Sequence, residues 1–229
     1  MDFVEGEILG FDKPLHWTSF AVVGKVRWLL CHTLGVKKLK VGHTGTLDPL
    51  ATGVVVVCTG KKTKQIEELQ NHIKEYVATL QLGATTPSYD LEKPIDKTYP
   101  TAHITRWLID EVLARFRGEI WQVPPTFSAV KVDGKRAYEY ARKGQEVDIK
   151  PKLLVIDELE VVDFNPETML LTIRVVCSKG TYIRALARDI GEALRSGAHL
   201  TALRRTRVGD ITLNDCMTIE QFNELLKTI

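Results

Sequence analysis

The sequence predicts an α+β fold, with a mixed, mostly antiparallel central sheet flanked by helices. Strand-like alternation and helix-like periodicity follow one another in short runs, without the regular βαβ spacing that a parallel sheet requires. With 229 residues, 44% hydrophobic and 26% charged, the chain is an ordinary globular one, long enough to bury a core as a single domain over 1–229. The four cysteines, Cys31, Cys58, Cys177 and Cys216, have no CxxC spacing, so reduced thiols and no metal centre are expected. Acidic residues near the N-terminus do not suit a secretion signal, and no apolar run reaches membrane-spanning length, so a cytosolic location is expected.

Ile8 to Phe11 reads as a short strand. Thr18 or Ser19 can cap a helix in which Val22, Val23, Val26, Leu29 and Leu30 recur at helical spacing to about His32, before Gly35. Val54 to Cys58 is a five-residue apolar run suited to a buried strand, and Thr63 to Gln70 a short helix behind it. From Lys74 to Leu82, Tyr76, Ala78, Leu80 and Leu82 alternate with Val77, Thr79 and Gln81, as a strand does. Thr105 can cap a helix over Arg106 to Phe116 that uses Leu108, Val112, Leu113 and Phe116. Glu119 to Val123 reads as a strand, and Asp133-Gly134 as the turn of a hairpin leading to a basic helix over Lys135 to Arg142. Val147 to Phe164 and Thr168 to Cys177 are β-rich, with a turn at Asn165-Pro166. A helix over Thr181 to Leu194 carries one apolar stripe, Ile183, Leu186, Ala187, Ile190 and Leu194. Leu200 to Ile211 is strand-like, and Thr218 caps a last helix to about Lys227.

The stretch that organises this pattern is KVGHTGTLDPLATG, Lys40 to Gly53. Glycines and prolines bracket one carboxylate, Asp48, so the backbone makes tight turns that present a single side chain. Asp before Pro also suits a plain turn start or helix cap. Net charge is only +2, but basic residues gather at Lys37 to His43, Lys61 to Lys64, Lys131 to Lys143, Lys179 to Arg188 and Arg204 to Arg207. Such clustering suits a phosphate-bearing partner, for which a carboxylate between basic segments is a plausible catalytic group.

GHTGTLDPLATG resembles, almost letter for letter, the central motif of the bacterial tRNA pseudouridine-55 synthases of the TruB type. DKP at Asp12 to Pro14, KEYVATLQLG at Lys74 to Gly83, SAVKVDGKRAYEYAR at Ser128 to Arg142 and CSKGTYIRALARDIG at Cys177 to Gly191 resemble the family's other blocks in the expected order, so that coverage runs from about residue 8 to residue 210. The resemblance implies the pseudouridine synthase fold, tRNA as partner through its T arm, no cofactor and no protein partner, a monomer being expected. It implies Asp48 as the catalytic carboxylate, with Arg184 as its cationic partner and Tyr76 stacked on an extruded uracil. Leu203 and Tyr182 would line that pocket, His43 would enter the vacated base stack, and Lys13, Asp90 and Lys131 would face substrate. Two departures stand out. Relatives read roughly T-D-T-x-D where this chain has Thr86-Pro87-Ser88-Tyr89-Asp90, and the small RNA-binding PUA barrel that most bacterial relatives carry after this region is not expected here.

Forming pseudouridine breaks the N1 bond to ribose, turns the base and joins C5 to the same carbon. An ionised aspartate can serve as nucleophile or as stabiliser of charge on the sugar. Reaching a uridine inside a folded loop requires flipping it out, at a cost of a few kcal/mol. An RNA-binding module without catalysis and an aspartate-dependent hydrolase are the competing classes. The hydrolase would want a second carboxylate, for which Asp90 is the candidate.

Overall fold

The computed structural model describes residues 1–145 and 147–228. In chain order the elements are β1 (Ile8–Lys13), α1 (Ser19–Thr33), β2 (Val41–His43), β3 (Ala51–Thr59), a 3-10 segment (Gly60–Gln65) running into α2 (Ile66–Leu69), and β4 (Lys74–Leu82). Next come the pair β5 (Ala84–Thr85) and β6 (Lys97–Thr98), α3 (Arg106–Ala114), β7 (Gly118–Gln122), the pair β8 (Lys131–Val132) and β9 (Lys135–Arg136), and α4 (Ala137–Ala141). The chain continues through β10 (Lys152–Asn165), β11 (Leu170–Cys177), α5 (Ile183–Ala193), β12 (Ala198–Val208), β13 (Ile211–Thr212), β14 (Cys216–Met217) and α6 (Ile219–Leu226). They divide into two compact units, one of Met1–Tyr76 with the chain from Leu203 onward, the other of Val77–Ala202.

In the first unit β1 pairs antiparallel with β3 and parallel with β14, while β12 joins β3 in parallel register, Leu203 against Ala51 and Arg205 against Gly53. The run from Val54 to Cys58 is buried on both faces, which is why it reads as continuous apolar sequence instead of alternating. Helices α1 and α6 pack on each other, and Phe222 of α6 meets Phe11 and Phe3 edge-on at 5.3 and 6.0 Å between centroids. Thr18 caps α1, its hydroxyl accepting from the Ala21 amide, and Thr218 caps α6 in the same way.

In the second unit β4, β11, β10 and β7 lie in that order, with antiparallel β10 to β11 and β10 to β7 pairs. Alternation in β4 buries Ala78, Leu80 and Leu82, and the stripe of α5 buries Ile183, Leu186, Ala187 and Ile190. Each such Leu or Ile side chain contributes about 2 kcal/mol by leaving water.

Three elements differ from expectation. The helix expected over Lys135 to Arg142 begins at Ala137 because Asp133 and Gly134, both at positive φ (49° and 80°), form a two-residue turn that pairs Lys135 and Arg136 back onto Val132 and Lys131. The strand expected from Val147 begins at Lys152, after Pro151, which has no amide to give a ladder. In α3, Ile109 is buried with Val112 and Leu113, and Leu108 is only half-buried.

Gly53 is a close backbone approach in the first unit. Its φ is +105°, and a Cβ there would collide with the Arg205 carbonyl oxygen and lie 2.9 Å from both the nitrogen and the carbonyl carbon of Arg205. Left-handed strain and overpacking then add, so Gly53→Ala is expected to lower the unfolding free energy by about 3 kcal/mol, read from the urea midpoint at unchanged slope.

Candidate active site

Asp48 is a half-buried residue on the loop between β2 and β3 in the first unit. Several contacts hold that loop. The Asp48 carbonyl accepts from the Ala51 amide at 3.0 Å, the Pro49 carbonyl from the His16 amide at 2.7 Å, and Thr44 donates its amide to Val56 at 3.0 Å. Buried Ser19, the first residue of α1, clamps Leu47: its hydroxyl accepts from the Leu47 amide at 2.8 Å and donates to the Leu47 carbonyl at 3.3 Å.

The strongest brace is Arg205, only 2% exposed on β12. Its Nε donates to the Val54 carbonyl at 2.7 Å, Nη2 to Gly45 at 3.1 Å and Nη1 to Thr46 at 3.4 Å. One planar guanidinium thus ties backbone on both sides of Asp48, geometry suited to its fork of donors. Sequence reading missed Arg205, which stands in a run of three arginines among four residues.

Lys13, expected to face substrate, has no exposed surface in this structure. Its ammonium donates to the Trp17 and Pro14 carbonyls at 2.6 and 2.9 Å. Burial pushes its pKa down to about 8, against the upward pull of the Asp48 charge, with Arg205 lowering it further and Asp12 raising it. His43, the last residue of β2, is half-buried, and its Nδ1 makes no hydrogen bond among the described residues. Burial first, then Arg205, lowers its pKa against the Gly45 backbone, so the ring is neutral at pH 7. Tyr76 is buried on β4, and Leu203 is half-buried on β12 in register with Ala51, three residues after Asp48.

In the second unit Arg184 is 6% exposed, the second residue of α5. A cation there opposes the helix dipole and needs acceptors. It donates to the Phe127 carbonyl at 3.0 Å and the Ser88 carbonyl at 3.4 Å, and its Nε lies 3.8 Å from Oδ2 of Asp90. Asp90, expected to face substrate, is buried beside Arg184, and its Oδ1 accepts from the Glu92 amide at 2.9 Å. The loop before it is a β-turn, Tyr89 donating its amide to the Thr86 carbonyl at 3.1 Å, which puts Pro87 at the second turn position, the one proline favours. Tyr182, half-buried at the N-cap of α5, is held by buried Gln122, whose amide accepts from the Tyr182 nitrogen at 2.9 Å and donates to its carbonyl at 3.3 Å. Lys131 is exposed on β8. The structure therefore brings Lys13, His43 and Asp48 to one braced loop, and Arg184 and Asp90 to one buried pair. Among the described residues no cluster of His, Cys, Asp and Glu could hold a metal ion.

Residues 32–183 match the family model described as TruB family pseudouridylate synthase, N-terminal domain, and residues 184–228 that of the tRNA pseudouridylate synthase B C-terminal domain. The tRNA pseudouridine synthase B of Phocaeicola vulgatus is 69% identical over 227 residues, 99% of this chain and 95% of that protein. The protein of the same name from Flavobacterium johnsoniae is 52% identical over 228 residues, covering 99% of this chain and 98% of the other. Among solved structures, a chain of a Cbf5-Nop10-Gar1 complex aligns with a TM-score of 0.71 at 29% identity, over 97% of this chain and 54% of that one. This chain thus spans about half the length of that solved chain, and the expected α+β fold is the fold it shares with it.

Lys13 makes a pH prediction whose sign follows from linkage. Its pKa is about 8 folded and near 10.5 unfolded, so between these values the unfolded chain binds more protons and stability rises with pH. The unfolding free energy of the wild type minus that of Lys13→Met is expected to climb from pH 8 to 10.5 by at most about 3 kcal/mol. Urea titrations at pH 7.5, 9 and 10.5 measure it, and a flat difference would show the ammonium to be normally solvated.

Proposed function

The chain belongs to the TruB family of pseudouridylate synthases, and from that premise we propose that it isomerises uridine 55 in the T loop of tRNA to pseudouridine, acting as a monomeric cytosolic enzyme with 1–229 as one catalytic domain. The observation that carries this reading is the braced loop: Arg205 and Ser19 fix the backbone around Asp48, so that one carboxylate is presented without freedom to drift.

In the proposed reaction Asp48 acts as nucleophile or anionic stabiliser while the bond from N1 to C1′ breaks. The uracil turns, C5 bonds to C1′, the C5 hydrogen leaves as a proton and N1 gains one, so atoms and electrons balance with no cofactor. Arg184 is assigned as the cation that keeps Asp48 ionised and aimed, with Asp90 as the residue that positions Arg184. Tyr76 and Leu203 would hold the detached base between them, and Tyr182 would border it. The neutral ring of His43 suits stacking in the space that the flipped base leaves. Lys131 would meet a phosphate, and Lys13 acts from within, as a buried cation whose charge attracts that of Asp48.

Release of tritium from C5-labelled uridine in a T-arm RNA tests the proposal, since an RNA-binding module and a hydrolase both leave that hydrogen in place. Asp48→Asn is expected to abolish release while holding RNA affinity within about tenfold. Normal turnover by that variant would overturn the assignment.

A further inference from the structure

Between Asp12 and Asp48 there are 35 residues and no acidic one, in a chain that has 29 Asp and Glu among its 229 residues. Its longest element is α1, 15 residues from Ser19 to Thr33. Its inner face, Val22, Val23, Val26, Leu29 and Leu30, is core, which the heptad-like spacing accounts for. Its outer face is not what a merely solvated helix shows. Phe20 is 71% exposed and Trp28 57% exposed, eight residues apart and so on one side of the helix with Gly24 between them. The His32 ring stacks on Trp28 with centroids 5.6 Å apart and planes 2° from parallel, and the Lys25 ammonium lies 4.6 Å from the Trp28 centroid. The face begins at the catalytic loop, because Ser19, next to Phe20, is the residue that clamps Leu47. From Phe20 it runs outward roughly 12 Å to Trp28 at 1.5 Å per residue.

We propose that this face of α1, Phe20, Lys25, Trp28 and His32, is a second RNA-contact surface, on which an unpaired base of the substrate RNA stacks outside the uracil pocket. Exposed aromatic rings interleaved with cations are what single-stranded RNA selects: any base offers a flat face to a ring, and its phosphate meets the neighbouring ammonium. A second copy of the chain fits the face less well, since a two-fold contact would bring two Lys25 ammonium groups into one interface with no acidic residue of α1 to offset them. The inference rests on the reading of the chain as an RNA-modifying enzyme and adds a contact which that reading does not contain.

The test is fluorescence anisotropy of wild type and variants with a labelled T-arm hairpin and with a full tRNA transcript, at low and moderate salt. Phe20→Ala/Trp28→Ala is expected to weaken binding of at least one of the two RNAs about tenfold, and Trp28→Tyr to restore most of the loss. Lys25→Gln is expected to reduce the salt slope by about one. Melting temperature and turnover at saturating RNA are expected to stay at wild-type values, since these side chains are exposed and outside the catalytic loop. Unchanged affinity for both RNAs in the double variant overturns the proposal, as does a loss that sedimentation traces to a dimer falling apart. Should the wild type bind RNA without releasing tritium, the proposed isomerase activity fails, while the affinity ratio between wild type and double variant still decides the role of α1.

Discussion

The three hydrogen bonds from the Arg205 guanidinium to the Gly45, Thr46 and Val54 carbonyls are the constraint on which the loop around Asp48 depends. They form because β12 lies parallel to β3 with Arg205 opposite Gly53, and only a residue without a side chain allows the two backbones to approach so closely. Sheet register and loop shape are therefore one problem. A slip of one residue in β12 would turn the guanidinium to the other face of the sheet, taking a donor from all three carbonyls and leaving that of buried Val54 unsatisfied at about 1–3 kcal/mol.

The bracing also sets the electrostatics. Arg205 and Lys13 are almost fully buried, and the hydrogen bonds that hold their cationic groups go to carbonyl oxygens. A carbonyl satisfies a donor without cancelling its charge, so each positive field persists in a medium of low dielectric. Two results follow in the first unit. His43 is driven toward its neutral form by burial and by Arg205, and the Lys13 ammonium is held charged partly by the carboxylate of Asp48.

Most of the fold was legible because local chemistry and tertiary context agree. Thr105 and Thr218 were read as caps, and Thr18 as one of two candidates with Ser19, and each of the three threonines accepts an amide of the following helix; the alternation of Lys74 to Leu82 is the strand β4; and the stripe of α5 is buried as its spacing implies. Failures came where strand pairing or a proline overrides the local pattern. The ladder between β8 and β9 takes two residues from an expected helix, and Pro151 delays β10. At the site, Asp48, Arg184 and His43 stood out by motif, whereas Arg205 and Gln122 did not. An arginine that binds carbonyls across a sheet has no spacing rule, and its burial cannot be seen until the strands are registered. The burial of Lys13 was not legible for the same reason, a lysine being seldom buried without a carboxylate close by.

The departure at Thr86–Asp90 from the wording that the resemblance implies has a physical meaning. Pro87, where the resemblance implies an acidic residue, is exposed at the corner of the turn closed by the Tyr89 amide and the Thr86 carbonyl. Thr86 also donates its hydroxyl to the Asp90 carbonyl at 2.7 Å, and the Tyr89 carbonyl accepts from the Leu200 amide at 2.9 Å, with Tyr89 at a positive φ of 60°. A turn so constrained gains from a residue whose φ is already near the required angle, because less chain entropy is lost in forming it. The carboxylate that matters to Arg184 within the second unit is Asp90, and it is kept. Pro87 thus stiffens the turn that leads into the Arg184 and Asp90 pair.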